Sequence, residues 1–174
     1  MKLHLLLLVL FATLPAFVCN AGDNGRKSHN QKEIIERVEY IFHKVYENDD
    51  HYLGDSKFLT TQFKKLHNKE KEVTPKGEIG YIDYDHWTQS QDWKNPSITV
   101  LSVEILSDSE AIAKIKIQDY EWIKPSVIKI VLIYERGNWF IDDFIGIGGS
   151  EKKGLLYYIL NSKFNNNESR SFGN

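Results

Sequence analysis

The chain has 174 residues, 22 of them basic and 24 acidic for a formal charge of −2, with 41% hydrophobic residues and a single cysteine. So even a balance leaves no general electrostatic footprint for nucleic acid. One cysteine, Cys19, cannot build an internal disulfide framework, so an apolar core must carry the fold.

In chain order the first feature is Lys2 ahead of an apolar stretch from Leu5 to Leu14, then Pro15 and the mixed segment Ala16-Phe17-Val18-Cys19-Asn20-Ala21. A positive start, an apolar run and a cleavage zone make residues 1–21 a secretory signal peptide. The apolar run is barely long enough to span a bilayer, and no basic stop-transfer cluster follows it. The mature protein is therefore expected to be exported, periplasmic or extracellular, with no transmembrane helix. Acylation of Cys19 is the minority alternative, and it would anchor the protein as a lipoprotein; Val18 is a poor neighbour for it, because that processing wants a small residue before the cysteine. Cleavage after Ala21 removes Lys2 and no acid, leaving a mature charge of about −3. Roughly 150 residues then fit one domain able to bury about two-thirds of its unfolded surface.

Residues 22–30 form a polar leader. Beyond it, Ile34, Ile35, Val38, Ile41, Phe42 and Val45 recur at the spacing of one helix face, with Ser28 as a cap and Asn48-Asp49-Asp50 as a stop. A second, shorter helix is predicted after Thr60, its N-cap, with Phe63 and Leu66 buried and the charged stretch 64–71 solvated. From Ile98 the period falls to two. Leu101, Val103 and Ile105 alternate with Ser102 and Glu104, Ser107-Asp108-Ser109-Glu110 turns the chain, and Ala111, Ala113, Ile115 and Ile117 alternate with Lys114 and Lys116. Residues 127–135 and 139–145 make a second hairpin about Arg136-Gly137-Asn138. The glycines 146–149 end the sheet, and Ser150 caps a short terminal helix carrying Leu155, Leu156, Ile159 and Leu160. Residues 162–174 have few apolar side chains and read as a disordered tail. Helices followed by a run of antiparallel strands give an α+β fold over residues 31–161, with the N-terminal helices packed on the sheet.

Four stretches carry a resemblance. They are Phe58-Leu59-Thr60-x-x-Phe63-x-x-Leu66, Asp83-x-Asp85 leading to Gln91-Asp92, Ala111-x-Ala113, and Gly137-Asn138-Trp139-Phe140-Ile141-Asp142-Asp143. Together they resemble an exported bacterial family of unknown function that is itself similar to the nuclear transport factor 2-like superfamily. The resemblance implies helices wrapped around a strongly curved sheet, forming a cone with an open end. In enzymes of that superfamily an aspartate, tyrosine or histidine inside the cone moves a proton beside a carbonyl or eliminates water. It would make Asp83, Asp85, His86 and Asp92 the acid/base candidates and Tyr84 a donor, although none matches an enzyme motif residue by residue.

The residues themselves point to the same stretch, since 81–93 is the densest mixture of aromatic and polar side chains in the chain. Such a mixture suits a small-molecule pocket. The ligand-binding candidates are Tyr84, Asp85, His86, Trp87, Gln91, Asp92 and Trp93, joined by Tyr134 and Asp143. The structural alternative, favoured for most of them, is that Trp87 and Trp93 anchor a connection while the aspartates and Gln91 make side-chain-to-backbone turns. On the last long strand, alternation puts Trp139, Ile141 and Asp143 on one side and Phe140, Asp142 and Phe144 on the other. An acid thus falls on an apolar row whichever side is buried. Asp143 would have a raised pKa inside a cone, or else would reach solvent or a backbone donor at the strand end.

No metal or cofactor is expected. Glu47, Asp49, Asp50 and His51 lack the spacing of a calcium loop or zinc motif, the histidines at 29, 43 and 67 stand alone, and Ser150-x-x-Lys153 lacks the partner motifs of a serine hydrolase. Three functions follow in order of preference. The first is a non-catalytic module binding a small molecule or peptide in the cone. The second is a cone-fold isomerase, dehydratase or hydrolase using a carboxylate. The third is a periplasmic interaction or inhibitor protein, or a homodimer pairing through the sheet face that carries Lys114 and Lys116.

Overall fold

A computed structural model describes residues 29–47, 56–121 and 124–171, with side chains up to Ser162. The signal-peptide and Cys19 readings, the Ser28 cap and the stop at 48–50 lie outside the described residues. Within them the elements are α1 (Gln31–Glu47), α2 (Thr61–Val73), β1 (Ser97–Ser107), β2 (Glu110–Gln118), β3 (Ser126–Glu135), β4 (Asn138–Gly146), β5 (Gly149–Ser150) and α3 (Glu151–Ser171). The strands form one antiparallel sheet in the order β1-β2-β3-β4-β5. The α+β class, with helices packed on an antiparallel sheet, is the one the residue pattern predicts, and the curvature of the sheet is what the resemblance implies.

The cap of α1 is Asn30, whose side-chain oxygen accepts from the Glu33 N–H at 2.9 Å. The predicted apolar stripe of α1 is buried at Ile34, Val38, Ile41, Phe42 and Val45, and Ile35 packs beside it. It lies on β1 and β2. The facing side of the sheet is set by register: Ala111 opposes Leu132, Ala113 opposes Ile130 and Ile115 opposes Ile128. All six are buried, and each of the isoleucines contributes about 2 kcal/mol by leaving water. The β3–β4 loop is a two-residue turn with positive φ at both Arg136 (51°) and Gly137 (79°). That geometry matches the right-handed twist of the flanking strands, which is why a glycine sits there.

Thr60 caps α2 by accepting from the Phe63 N–H at 3.1 Å. Just before it the chain adds a short parallel bridge to β4, with the Thr60 N–H on the Ile141 carbonyl and the Ile141 N–H on the Phe58 carbonyl, both at 2.8 Å. Helices α2 and α3 pack on each other and on β4.

Four expectations need correction. On β1 only Val103 of the expected row Leu101, Val103 and Ile105 is buried, because the register with β2 slips at Leu101 and again before Ser107. Leu132 pairs with Ile141 and Val131 with Asp143, so Asp142 is an extra residue, a β-bulge. Past the bulge the sides exchange: Trp139, Ile141 and Phe144 share the core face, and Asp143 leaves the row on which strict alternation puts it. The stretch 64–71 is not all solvated, because His67 and Glu70 are buried on the same helix face as Phe63. Finally α3 runs on through Ser171, where an irregular tail was expected from Ser162. No proline or glycine lies between Leu155 and Ser171, so nothing in that stretch breaks the helix.

Candidate functional site

The segment 81–93 is fastened to three helices and to β4. A short turn comes first: the Asp85 N–H donates to the Ser90 carbonyl at 3.1 Å and the Gln89 N–H to the Asp85 carbonyl at 2.8 Å. Asp85 closes that turn from inside. Its Oδ1 accepts from the N–H groups of Trp87 (3.1 Å) and Thr88 (2.7 Å) and from the Tyr46 hydroxyl of α1 (2.7 Å). This is the side-chain-to-backbone turn that aspartate favours. Burial, followed by the charge of Asp85, pushes the Tyr46 hydroxyl well above the ordinary tyrosine range.

The turn delivers His86 and Gln89 to the start of α3. His86 Nδ1 and Glu151 Oε2 are 2.7 Å apart, with the two side chains only 1% and 2% exposed. Gln89, held at a positive φ of 55°, donates through Nε2 to Glu151 Oε1 and to the His86 carbonyl, each at 2.8 Å. Both carboxylate oxygens of Glu151 are thereby engaged. The His86 ring stacks on Phe144 at 5.4 Å and meets the edge of His67 at 5.1 Å. Burial by itself would lower the His86 pKa. The Glu151 carboxylate, aided by Asp85 and Glu70, outweighs burial and holds it above the ordinary value.

Glu70 of α2 ties down the beginning of the segment, its Oε1 accepting from the Ile82 N–H at 2.9 Å. Burial raises its pKa, against the pull of the backbone donors of Ile82 and Tyr81 and of His86. On the far side of α3's first turn stands Asp143. Its Oδ1 accepts from the Lys152 N–H at 2.9 Å and its Oδ2 from the Ser150 hydroxyl at 2.5 Å, while Ser150 Oγ accepts from the Lys153 N–H at 3.1 Å. Ser150 is the expected cap, reinforced by Asp143. Burial raises the Asp143 pKa, and its partners Ser150 and Lys152 moderate the rise.

In front of Glu151 lies a cleft of about 160 Å³, walled by Tyr81, Tyr84 and Gln89 and edged by the 147–149 turn. Two glycines make room for its walls. A Cβ on Gly154 would lie 1.9 Å from the Tyr81 hydroxyl, and one on Gly146 would lie 2.1 Å from Gln89 Oε1. Ile147, at the rim, is 91% exposed.

Of the predicted site residues, the structure brings Tyr84 to the cleft and His86 directly behind it. The others sit elsewhere. Asp85 closes the turn, and Trp87 is core, packed edge-on to Phe42 at 5.3 Å and Phe144 at 5.5 Å. Gln91 donates to the exposed Asp83 at 2.8 Å, and Asp92 is exposed, with its N–H and carbonyl both bonded to Ser90 Oγ. Trp93 meets the edge of Tyr46 at 5.2 Å. Tyr134 lies at the opposite end of β4, against Trp139 (5.4 Å) and His29 (4.1 Å). Asp143 belongs to the α3 cap. Glu151, Gln89 and Tyr81 were missed as site residues, and His67 and Glu70 with them. The spacing 63, 67, 70 on one helix face was the available signal for the last two.

Among the described residues no three side chains are grouped to hold a metal ion, and no helix is long and apolar enough to cross a membrane. No protein-family model matches the chain, and no curated protein is similar to it.

Proposed function

We propose that the protein is an exported, non-catalytic binding module of the nuclear transport factor 2-like kind, and that the cleft between segment 81–93 and the start of α3 holds a small molecule or the side chain of a peptide. The observation that carries this reading is the cleft itself: two tyrosine walls, an amide and a carboxylate held in place from behind, in the combination of aromatic surface and few fixed polar groups that ligand sites use. How the acids are engaged supports binding over catalysis. Asp85 Oδ1 has three donors, Asp143 caps a helix with both oxygens, Asp83 and Asp92 face solvent, and His86 is sealed behind Glu151. A general acid or base has to reach the proton it moves. A fragment screen of the mature protein followed by amide chemical shifts tests the reading. It expects hits that move Gly148 and Gly149, and a screen whose hits all map elsewhere overturns it.

A pairing role has its own supporting observation. Edge strand β1 carries Leu101 and Leu106 about half exposed (48% and 47%), each where the β1–β2 register slips. A second copy or partner strand would cover them. Sedimentation at micromolar to millimolar concentration tests this, and a monomer throughout counts against a homodimer.

A further inference from the structure

Resting on the ligand-binding reading above, we infer that the cleft takes a primary ammonium group, free in a small amine or at the tip of a lysine side chain, with Glu151 as counter-charge and Tyr81 and Tyr84 as walls. Size comes first. At about 160 Å³ the cleft is smaller than the roughly 300–1,000 Å³ of sites that enclose a whole drug-sized ligand. It accommodates a head group, and the remainder of the ligand lies over the rim at Ile147.

Charge comes second. Glu151 is a 2% exposed carboxylate in the cleft wall. The hydroxyl of Tyr81 is raised by burial and then by Glu151, Asp143 and Glu70. That of Tyr84 is raised by burial and then chiefly by Glu151. Both hydroxyls thus sit in a field of carboxylates. The nearby cation of α3, Lys152, is turned to Asp142 at 2.6 Å and to Gln62 at 3.3 Å.

The opposite choice, an anion on the start of α3, meets a helix end already capped from within the chain. The N–H groups of Lys152 and Lys153 are taken by Asp143 and Ser150. A cation held in the cleft would also lie beside the aromatic side chains of Tyr81 and Tyr84 that line it.

One linkage follows. The groups facing His86 are Glu151 from α3, His67 and Glu70 from α2, and Asp85 from its own segment. A protonated His86 shares the Glu151 charge with any bound ammonium. Binding therefore tightens as the pH rises and His86 loses its proton, until the amine itself deprotonates.

The test is an amide-shift titration of the mature protein with n-butylammonium and with Nα-acetyl-lysine amide, against n-butanol and butyrate at matched ionic strength. The two amine arms separate a free amine from a lysine side chain as the source. Expected are saturable shifts at Gly148 and Gly149 with at least one amine, weakened about 10-fold or more by Glu151→Gln. Because that variant also disturbs the His86 pair, Tyr84→Leu serves beside it, with an expected loss of about 3-fold. Butanol or butyrate binding as tightly as the amines overturns the ammonium inference and leaves the ligand-binding reading standing. Silence from all four probes also overturns it. The broader reading falls only if the fragment screen is silent at the same amides.

Discussion

The α1–sheet interface and the junction of α2, α3 and segment 81–93 are both buried, yet they are built on different physics. Between α1 and the sheet the buried side chains are apolar, with Ile34, Val38, Ile41 and Phe42 against Ala111, Ala113, Ile115 and Ile117. At the junction the buried set includes His67, Glu70, His86, Asp143 and Glu151. An apolar interface depends on volume and tolerates swaps that conserve it. A polar junction depends on partners, because removing one member strands the charge of the other.

The largest expected effects sharpen that contrast. Trp139→Ala, at a fully buried ring on the core face, should cost about 3–5 kcal/mol in denaturant unfolding. Glu151→Ala should cost about 3 kcal/mol by leaving His86 buried without its carboxylate. The double variant His86→Leu/Glu151→Leu should recover most of that loss. Strictly additive single and double effects would break the comparison, since the junction would then behave like the core. Thr60→Ala, which removes the α2 cap and its 2.7 Å bond to Asp142, should cost about 1 kcal/mol. Ile115→Val should cost about 1 kcal/mol or less, with an unchanged denaturant slope.

The pH dependence separates the two regions with a smaller effect. His86 is held above its ordinary 6.5, so the folded state binds that proton more tightly than the unfolded chain does. The stabilisation is complete below pH 6.5 and is lost as the pH rises through the folded value. The buried acids Glu70 and Asp143 are also raised and act in the same sense at lower pH. Stability should therefore decline above about pH 6.5 in the parent protein and stay flat there in His86→Gln. A parent protein that gains stability on moving from pH 6.5 to 8 would contradict the assignment.

The core was legible because periodicity encodes it. The stripe from Ile34 to Val45 and the alternation from Ala111 to Ile117 each report a buried face without reference to any other part of the chain. The turn at Arg136-Gly137 was legible for the same local reason. Alternation misled where the bulge at Asp142 inserts a residue and exchanges the sides of Asp143 and Phe144, and again on β1, where the register slips at Leu101 and takes it off the row of Val103. The junction was less legible, because its partners are remote. His86 and Glu151 are 65 residues apart, and Glu70 bonds a backbone N–H 12 residues away in a segment with no period. Glu151 also looks ordinary in sequence, since an acid in a helix's first turn is common for reasons of the helix dipole alone. Segment 81–93 stood out by composition, which located the cleft's neighbourhood but not its charged wall.

The claim at the centre of this account is that the His86–Glu151 pair organises the junction and arms the cleft. Titration of the His86 ring by NMR tests it most directly. The account predicts a midpoint above 6.5 in the parent protein that falls in Glu151→Gln, where burial acts without the opposing carboxylate. A midpoint at or below 6.5 that Glu151→Gln leaves unchanged would contradict it.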